Sequence, residues 1–178
     1  MSRINTPAIE TAVGETAEVY ARVKKTAGGV PNAYAAIGAH GPAALQAVLN
    51  AEGVLAGGSL SKAERETIKL LVSVAAGCDY CVAAHSLMGK MAGLPQDVLK
   101  QLRDGQPTGD DKRDALARFV RVLAATNGTI DEAEFTAVKR AGYTDAQLVE
   151  ISLAIAVITF TNVFNRINDT VVDFPAVN

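Results

Sequence analysis

Cys78 and Cys81 stand three residues apart, and His85 follows four residues later. On a helix that begins near Cys78, these positions fall at i, i+3 and i+7 and share one face. A thiolate, not a thiol, attacks a peroxide or a disulfide. A helix N-terminus and a nearby imidazole both favour that thiolate. His85, one turn beyond Cys81, can take the Cys81 proton. Glu66 lies twelve residues ahead of Cys78, and a turn at Gly77 would lay its helix beside the next one. Glu66 would then orient His85. On this reading Cys81 is the nucleophile, His85 the base and Glu66 the orienting carboxylate. Cys78 converts a sulfenic acid on Cys81 into a disulfide.

The same residues allow plainer readings. Two small thiols can simply pack in a core, and a helical glutamate usually faces solvent. Structural zinc needs four ligands. Cys78, Cys81 and His85 supply three, leaving only His40 to complete the set.

The surrounding pattern is helical throughout. Thr6-Pro7 predicts a helix from there to about Ala27, stopped by Gly28-Gly29. Shorter helices follow over 33–39 and 43–55. Ser61 and Glu64 form a capping-box signature ahead of Ile68, Leu71, Val72 and Ala75. The CxxC helix runs from Cys78 to about Ala92, and Pro95 to Arg103 is a further short helix. Gly105 to Lys112 reads as an exposed linker. Leu116, Phe119, Val120 and Leu123 mark a helix over 113–126, and Asp131 caps another that ends at Gly142. Thr144 opens the last long helix, to about Asp169, and the tail after it is extended. No segment alternates with period two, so the expected fold is all-α, one domain over 1–178 with about nine helices. Around the last helix, Glu150, Asn162, Asn165 and Asp169 echo Glu66, Cys78, Cys81 and His85, allowing a one-residue gap. This is the pattern a duplicated helical half would leave.

Bulk properties narrow the function. The 178 residues carry net charge -2 and no basic run, which argues against a nucleic-acid surface. Hydrophobic residues make up 49% and charged residues 20%, as in globular chains, and aromatics only 5%, which favours packed helices. The apolar run Ile151 to Phe164 contains Ser152, Thr159, Thr161 and Asn162. It falls short of the roughly 20 apolar residues a spanning helix needs, so it reads as a buried helix. The N-terminal stretch lacks the apolar core of a signal peptide. The expected compartment is therefore a reducing cytoplasm, where CxxC pairs are redox-active or metal-binding rather than staples.

Glu66, Ser-Lys-Ala-Glu-Arg-Glu at 61–66 and Gly-Cys-Asp-Tyr-Cys-Val-Ala-Ala-His at 77–85 closely resemble the alkylhydroperoxidase D-like, peroxidase-related branch of the carboxymuconolactone decarboxylase superfamily. Val30-Pro31-Asn32, Ala39-His40-Gly41-Pro42, residues 141–145 and Asn162-Val163-Phe164-Asn165-Arg166 through Asp173-Phe174-Pro175 extend the resemblance along most of the chain. It implies a helical homo-oligomer, trimer or hexamer, that reduces hydroperoxides. Cys81 matches the attacking cysteine, Cys78 its resolving partner, and Glu66 with His85 the proton relay. One position departs. The best-studied type has a histidine between the cysteines where this chain has Tyr80, so its relay is one histidine shorter. True lactone decarboxylases resemble this fold but lack the CxxC.

The expectation is thus a thiol peroxidase recycled by an external dithiol or disulfide-reducing partner. No flavin or nicotinamide motif is present, so no cofactor is expected. The rivals are a redox-sensing or structural oligomer and a zinc-binding helical protein. Tyr80 and His40 are candidate pocket residues.

Overall fold

Ser61, Asp110, Asp131 and Thr144 each start a helix by accepting a first-turn N–H on a short polar side chain. The computed structural model describes residues 2–177. Met1 and Asn178, the two ends of the expected domain, lie outside these. Among the described residues the chain is all-α, with nine α-helices and no strand. They are α1 (Gly14–Ala27), α2 (Asn32–His40), α3 (Pro42–Ala56), α4 (Lys62–Ala75), α5 (Asp79–Met91), α6 (Gln96–Arg103), α7 (Asp111–Thr126), α8 (Glu132–Arg140) and α9 (Asp145–Asn168).

Two helices open on full capping boxes. The Glu64 amide donates to Ser61 Oγ at 3.2 Å and the Ser61 amide to Glu64 Oε2 at 2.8 Å. At α9, Thr144 and Gln147 make the same exchange. Asp131 caps α8 as expected. Two boundaries differ from the sequence reading. The first helix does not run from Pro7: residues 9–11 form a single 3-10 turn, and α1 starts only at Gly14, whose φ of 56° no continuous right-handed helix accommodates. The expected linker ends earlier, because Asp110 accepts the Arg113 amide and starts α7 at Asp111. That side-chain cap outweighs the polarity of the segment.

Helix α4 is the centre of the molecule. It packs against α5, α7 and α9, and Ile68, Leu70 and Leu71 on it are almost wholly buried. Facing them are Leu116 and Val120 of α7 and Ile151 and Ala154 of α9. Burying each such aliphatic side chain contributes about 1.5–3 kcal/mol. A smaller cluster of Val19, Tyr20, Val23, Ile37 and Leu45 joins α1, α2 and α3. At Gly38 a Cβ would stand 2.5 Å from the Tyr20 ring, so the close approach of α1 to α2 requires glycine there.

Helix α9 is not the fully buried rod its composition predicts. By length and composition, with mean hydropathy 1.7, it could cross a membrane. Instead it turns Ile151, Ala154, Ile158, Asn162 and Asn165 inward and leaves Phe160, Val163 and Ile167 exposed. Three buried asparagines (Asn162, Asn165 and Asn168) make the last turns of its inner face polar.

Candidate active site

The break between α4 and α5 builds the site. Gly77 adopts φ 60°, the left-handed conformation that closes a helix. The Gly77 amide donates to Val74 O at 3.0 Å and the Cys78 amide to Ser73 O at 3.1 Å. This hydrogen-bond pair reverses the chain and lays α5 against α4. Cys78 is thereby the last residue of one helix end and the N-cap of the next. Its Sγ accepts the Cys81 amide at 3.4 Å. Both cysteines are free thiols, about 2% exposed. Their sulfurs are 2.6 Å apart and share a hydrogen bond.

The reversal also brings Glu66 to His85. Glu66 Oε2 lies 2.8 Å from His85 Nδ1. Burial alone would push the Glu66 carboxyl up, but the His85 hydrogen bond and charge, with Lys69 and Lys62, hold it below the usual carboxylate range. An ionised Glu66 fixes the proton on Nδ1 and leaves Nε2 as the basic nitrogen. Behind it, Lys69 is 5% exposed and reaches Glu52 Oε2 at 2.6 Å and Glu66 Oε1 at 3.9 Å. The chain Glu52, Lys69, Glu66, His85 alternates in charge up to the imidazole.

The two thiols are unequal. The hydrogen bond from Cys81, the Cys81 amide and Arg166 favour charge on Cys78 against burial and Asp79, and the Cys78 thiol is lowered. Cys81 is pushed up by the hydrogen bond with Cys78, by burial and by the Cys78 charge. Opposing that, Asn165 Nδ2 donates to Cys81 Sγ at 3.2 Å and Thr161 also favours the thiolate. The short contact couples the two sulfurs, so a proton on one favours charge on the other, and the Asn165 amide favours that charge on Cys81.

Residues 42–108 match the carboxymuconolactone decarboxylase family model. The structure also overlays well on solved proteins. An alkylhydroperoxidase AhpD core, an uncharacterised peroxidase-related protein from Ralstonia eutropha JMP134, aligns with TM-score 0.85 at 24% identity, over 97% of this chain and 92% of that one. The debrominase Bmp8 in complex with 2,3,4-tribromopyrrole aligns with TM-score 0.81 at 18% identity, over 97% and 92%. A peroxidase-related protein from Silicibacter sp. TM1040 aligns with TM-score 0.79 at 23% identity, over 95% and 92%. The chain has the AhpD-like fold, and its residues 42–108 are similar to the carboxymuconolactone decarboxylase family. No curated protein matches its sequence.

Within this AhpD-like fold the α4–α5 turn brings Glu66 to His85 and Cys78 to Cys81. Tyr80 is a wall: its hydroxyl accepts the Ala33 amide at 3.1 Å, and its ring meets Phe174 edge-on at 5.3 Å. Burial leads the causes that push its phenol up, so it stays protonated. His40 is not brought to the site; its Nε2 lies 2.8 Å from Asn5 O, and it does not line the cavity beside Cys78. The zinc set that needed His40 is therefore not assembled, and among the described residues no three His, Cys, Asp or Glu side chains converge as metal ligands.

Sequence reasoning did not place Glu52, Lys69, Tyr34 or Thr161 in the site. Lys69 follows Glu66 by one helical turn, a detectable signal, whereas Glu52 arrives from α3 with no local cue. Tyr34 stands where burial and the fields of Glu52, Glu66 and Cys81 push its phenol up. Asn165 was visible in the sequence as the counterpart of Cys81 in the echo and within the 162–166 stretch of the resemblance, but not as a donor to Cys81.

Proposed function

We propose that this AhpD-like chain is a thiol-dependent hydroperoxidase acting as one domain of a homo-oligomer. The observation that carries the reading is the 2.8 Å Glu66–His85 pair on the two helices that present a dithiol with sulfurs 2.6 Å apart. Structural matches to peroxidase-related proteins support it at the level of fold.

In the cycle, Cys81 passes its proton to His85 Nε2 and attacks the nearer peroxide oxygen. The O–O bond breaks, Cys81 becomes a sulfenic acid, and the imidazolium gives its proton to the departing alkoxide. Cys78 then attacks the Cys81 sulfur. The S–S bond forms, and hydroxide leaves as water on taking a proton. An external dithiol returns two electrons. Glu66 holds the imidazole tautomer and balances its charge while it is protonated. A reduced pair at rest suits a cytoplasmic setting. The exposed stripe Phe160, Val163 and Ile167 on α9 supports self-association.

The test is peroxide consumption with a dithiol, by wild type, Cys81→Ser, Cys78→Ser and His85→Ala. Loss of turnover in Cys81→Ser is expected, with sulfenic acid accumulating in Cys78→Ser. Unchanged turnover in Cys81→Ser would refute the nucleophile. A wild-type protein that cycles its disulfide but never turns over peroxide is a redox sensor instead. One zinc bound per reduced chain would remove the peroxidase reading altogether. Light scattering checks the oligomer.

A further inference from the structure

Lys69 stands in the apolar run of α4, between Ile68 and Leu70, and is almost as buried as they are. A buried ammonium is costly to desolvate, and an apolar side chain commonly packs as well or better. Packing therefore does not explain a lysine here. Two carboxylates hold it, and unequally. Lys69 Nζ donates to both oxygens of Glu52, at 2.8 and 2.6 Å, but stands 3.9 Å from Glu66 Oε1. The other Glu66 oxygen, Oε2, is the one 2.8 Å from His85 Nδ1. Glu66 thus meets the imidazole closely on one oxygen and the ammonium loosely on the other.

We propose that Lys69, anchored by Glu52, is a positioning residue of the Glu66–His85 pair: it cancels the second carboxylate and leaves Glu66 bonded to the imidazole, so that the pair can give up its proton and act as a base. The inference rests on the peroxidase reading for the work His85 does. Without Lys69, Glu52 and Glu66 would be two carboxylates with no cation between them. Neighbouring negative charges hold a proton tightly, and the Glu66–His85 pair would keep one where a free base is needed. Without Glu52, the ammonium has only Glu66 to pair with. It would close the 3.9 Å gap and compete with His85 for the carboxylate. The grip of Glu52 makes Lys69 a field on Glu66 rather than a rival to His85.

The other charges around the pair are fixed by their own partners. Against burial, His85 and then Lys69 and Lys62 hold the Glu66 carboxyl low. Tyr34 of α2 lies in the field of Glu52, Glu66 and Cys81, but burial above all pushes its phenol up, so it stays neutral. Arg103 of α6 reaches Ser86 Oγ at 3.4 Å, Lys112 of α7 pairs with Glu64, and the charge of Arg166 on α9 reaches Cys78. These groups are the same in every variant below.

The chain has two histidines, His40 and His85, so NMR can follow each imidazole through a pH titration, with His85→Ala assigning the signals. In Lys69→Met the His85 midpoint should rise by about half a unit or more, because a positive charge leaves and Glu52 is no longer cancelled. In Glu52→Gln it should fall by about as much, as the freed ammonium turns onto Glu66. Lys69→Arg keeps the charge and should lie nearer wild type than Lys69→Met does. His40, exposed and held by Asn5 O, is the internal control and should not move. Opposite shifts in Lys69→Met and Glu52→Gln support the proposal. Shifts of one sign in both, or none in either, would overturn it, because a purely structural Lys69 would lower Tm and leave the midpoint in place. The Glu52 side chain is 29% exposed, so Glu52→Gln still decides the matter if Lys69→Met does not fold. With peroxide and a dithiol, the acid limb of kcat/KM should follow the midpoint in each variant. Failure of wild type to consume peroxide would sink the peroxidase reading alone, because the titration needs no peroxide.

Discussion

Helices α4 and α5 on one side, and α9 on the other, begin alike and end differently. Each opens on a capping box, Ser61 with Glu64 and Thr144 with Gln147. Each carries a glutamate early, Glu66 and Glu150. In the first, Gly77 breaks the helix and sends it back on itself. In the second, the helix continues unbroken for 24 residues. The break creates a second N-terminus, and with it the amide that holds Cys78. It also turns His85 back onto Glu66. Without a break, Glu150 has no returning helix to meet. It accepts the Ser59 and Leu60 amides at 2.9 Å instead and fixes the loop that starts α4. One carboxylate orients a base, and the other orients the element that carries the first. The unbroken helix contributes Asn165, the residue that echoes Cys81 and donates to its sulfur.

The largest effect should come from emptying the returned helix of its base. His85→Ala is expected to lower peroxide turnover by about 10²–10⁴ with the dithiol intact, as removal of a general base does. Glu66→Gln keeps the shape but loses the charge, and a loss of about 10–100-fold is expected, the usual effect of removing such an orienting partner. In Glu150→Gln, the counterpart on α9, turnover should be near wild type. Steady-state kinetics on the three variants decides whether the break, rather than the glutamate itself, makes the site.

Acid should separate the same two proteins. Glu66 is held below its ordinary range in the folded state, so it contributes stability that is present above the unfolded carboxyl value of about 4.3. That contribution is lost as pH falls through the lower folded value. Wild type should therefore exceed Glu66→Gln in Tm by a constant margin at neutral pH. The margin should shrink on acidification below about pH 4. A margin that grows on acidification would refute an ionised Glu66.

Much of this division was legible in the sequence. The capping pairs, the CxxC spacing and Gly77 are local signals, and the helix count followed from 3.6-residue periodicity. Glu66 owed its weight to the family resemblance rather than to spacing, because a helix pattern does not say which carboxylate a turn will bring back. Glu52 and Thr161 were invisible, since each reaches the site from an element distant in sequence. The N-terminus misled because Thr6-Pro7 is a sound helix start that Gly14 overrides. His40 was singled out for its residue type, and its partner is a backbone carbonyl of the N-terminal segment.

Removing the break itself should have a moderate effect on stability. Gly77 has φ 60° and open space where a Cβ would sit, so Gly77→Ala brings backbone strain without a clash. The cost should be about 1–2 kcal/mol, read by denaturant midpoint, with a rise in the Cys78 pKa as the α5 N-terminus loosens. Asn165→Ala removes one donor from the dithiol and should raise the Cys81 thiolate pKa by about one unit, followed by thiolate absorbance. Asn165→Gln should restore part of that shift if its amide still reaches the sulfur.

The smallest contrast lies at the two capping boxes. Ser61→Ala and Thr144→Ala each remove one side-chain acceptor from a first turn and should each cost about 1 kcal/mol of stability. Their consequences for the site should still differ. The α4 start is tied a second time, since Glu64 Oε1 accepts the Tyr143 hydroxyl at 3.1 Å and lies 3.0 Å from Lys112 Nζ. Gln147 of the α9 box reaches back to Ser59 O at 3.4 Å, beside the Glu150 contacts to the same loop. Losing the Thr144 cap therefore loosens the support under α4 as well as the start of α9. The expected result is equal Tm losses but a larger drop in peroxide turnover for Thr144→Ala. Equal drops would show that the loop before α4 holds its position without α9.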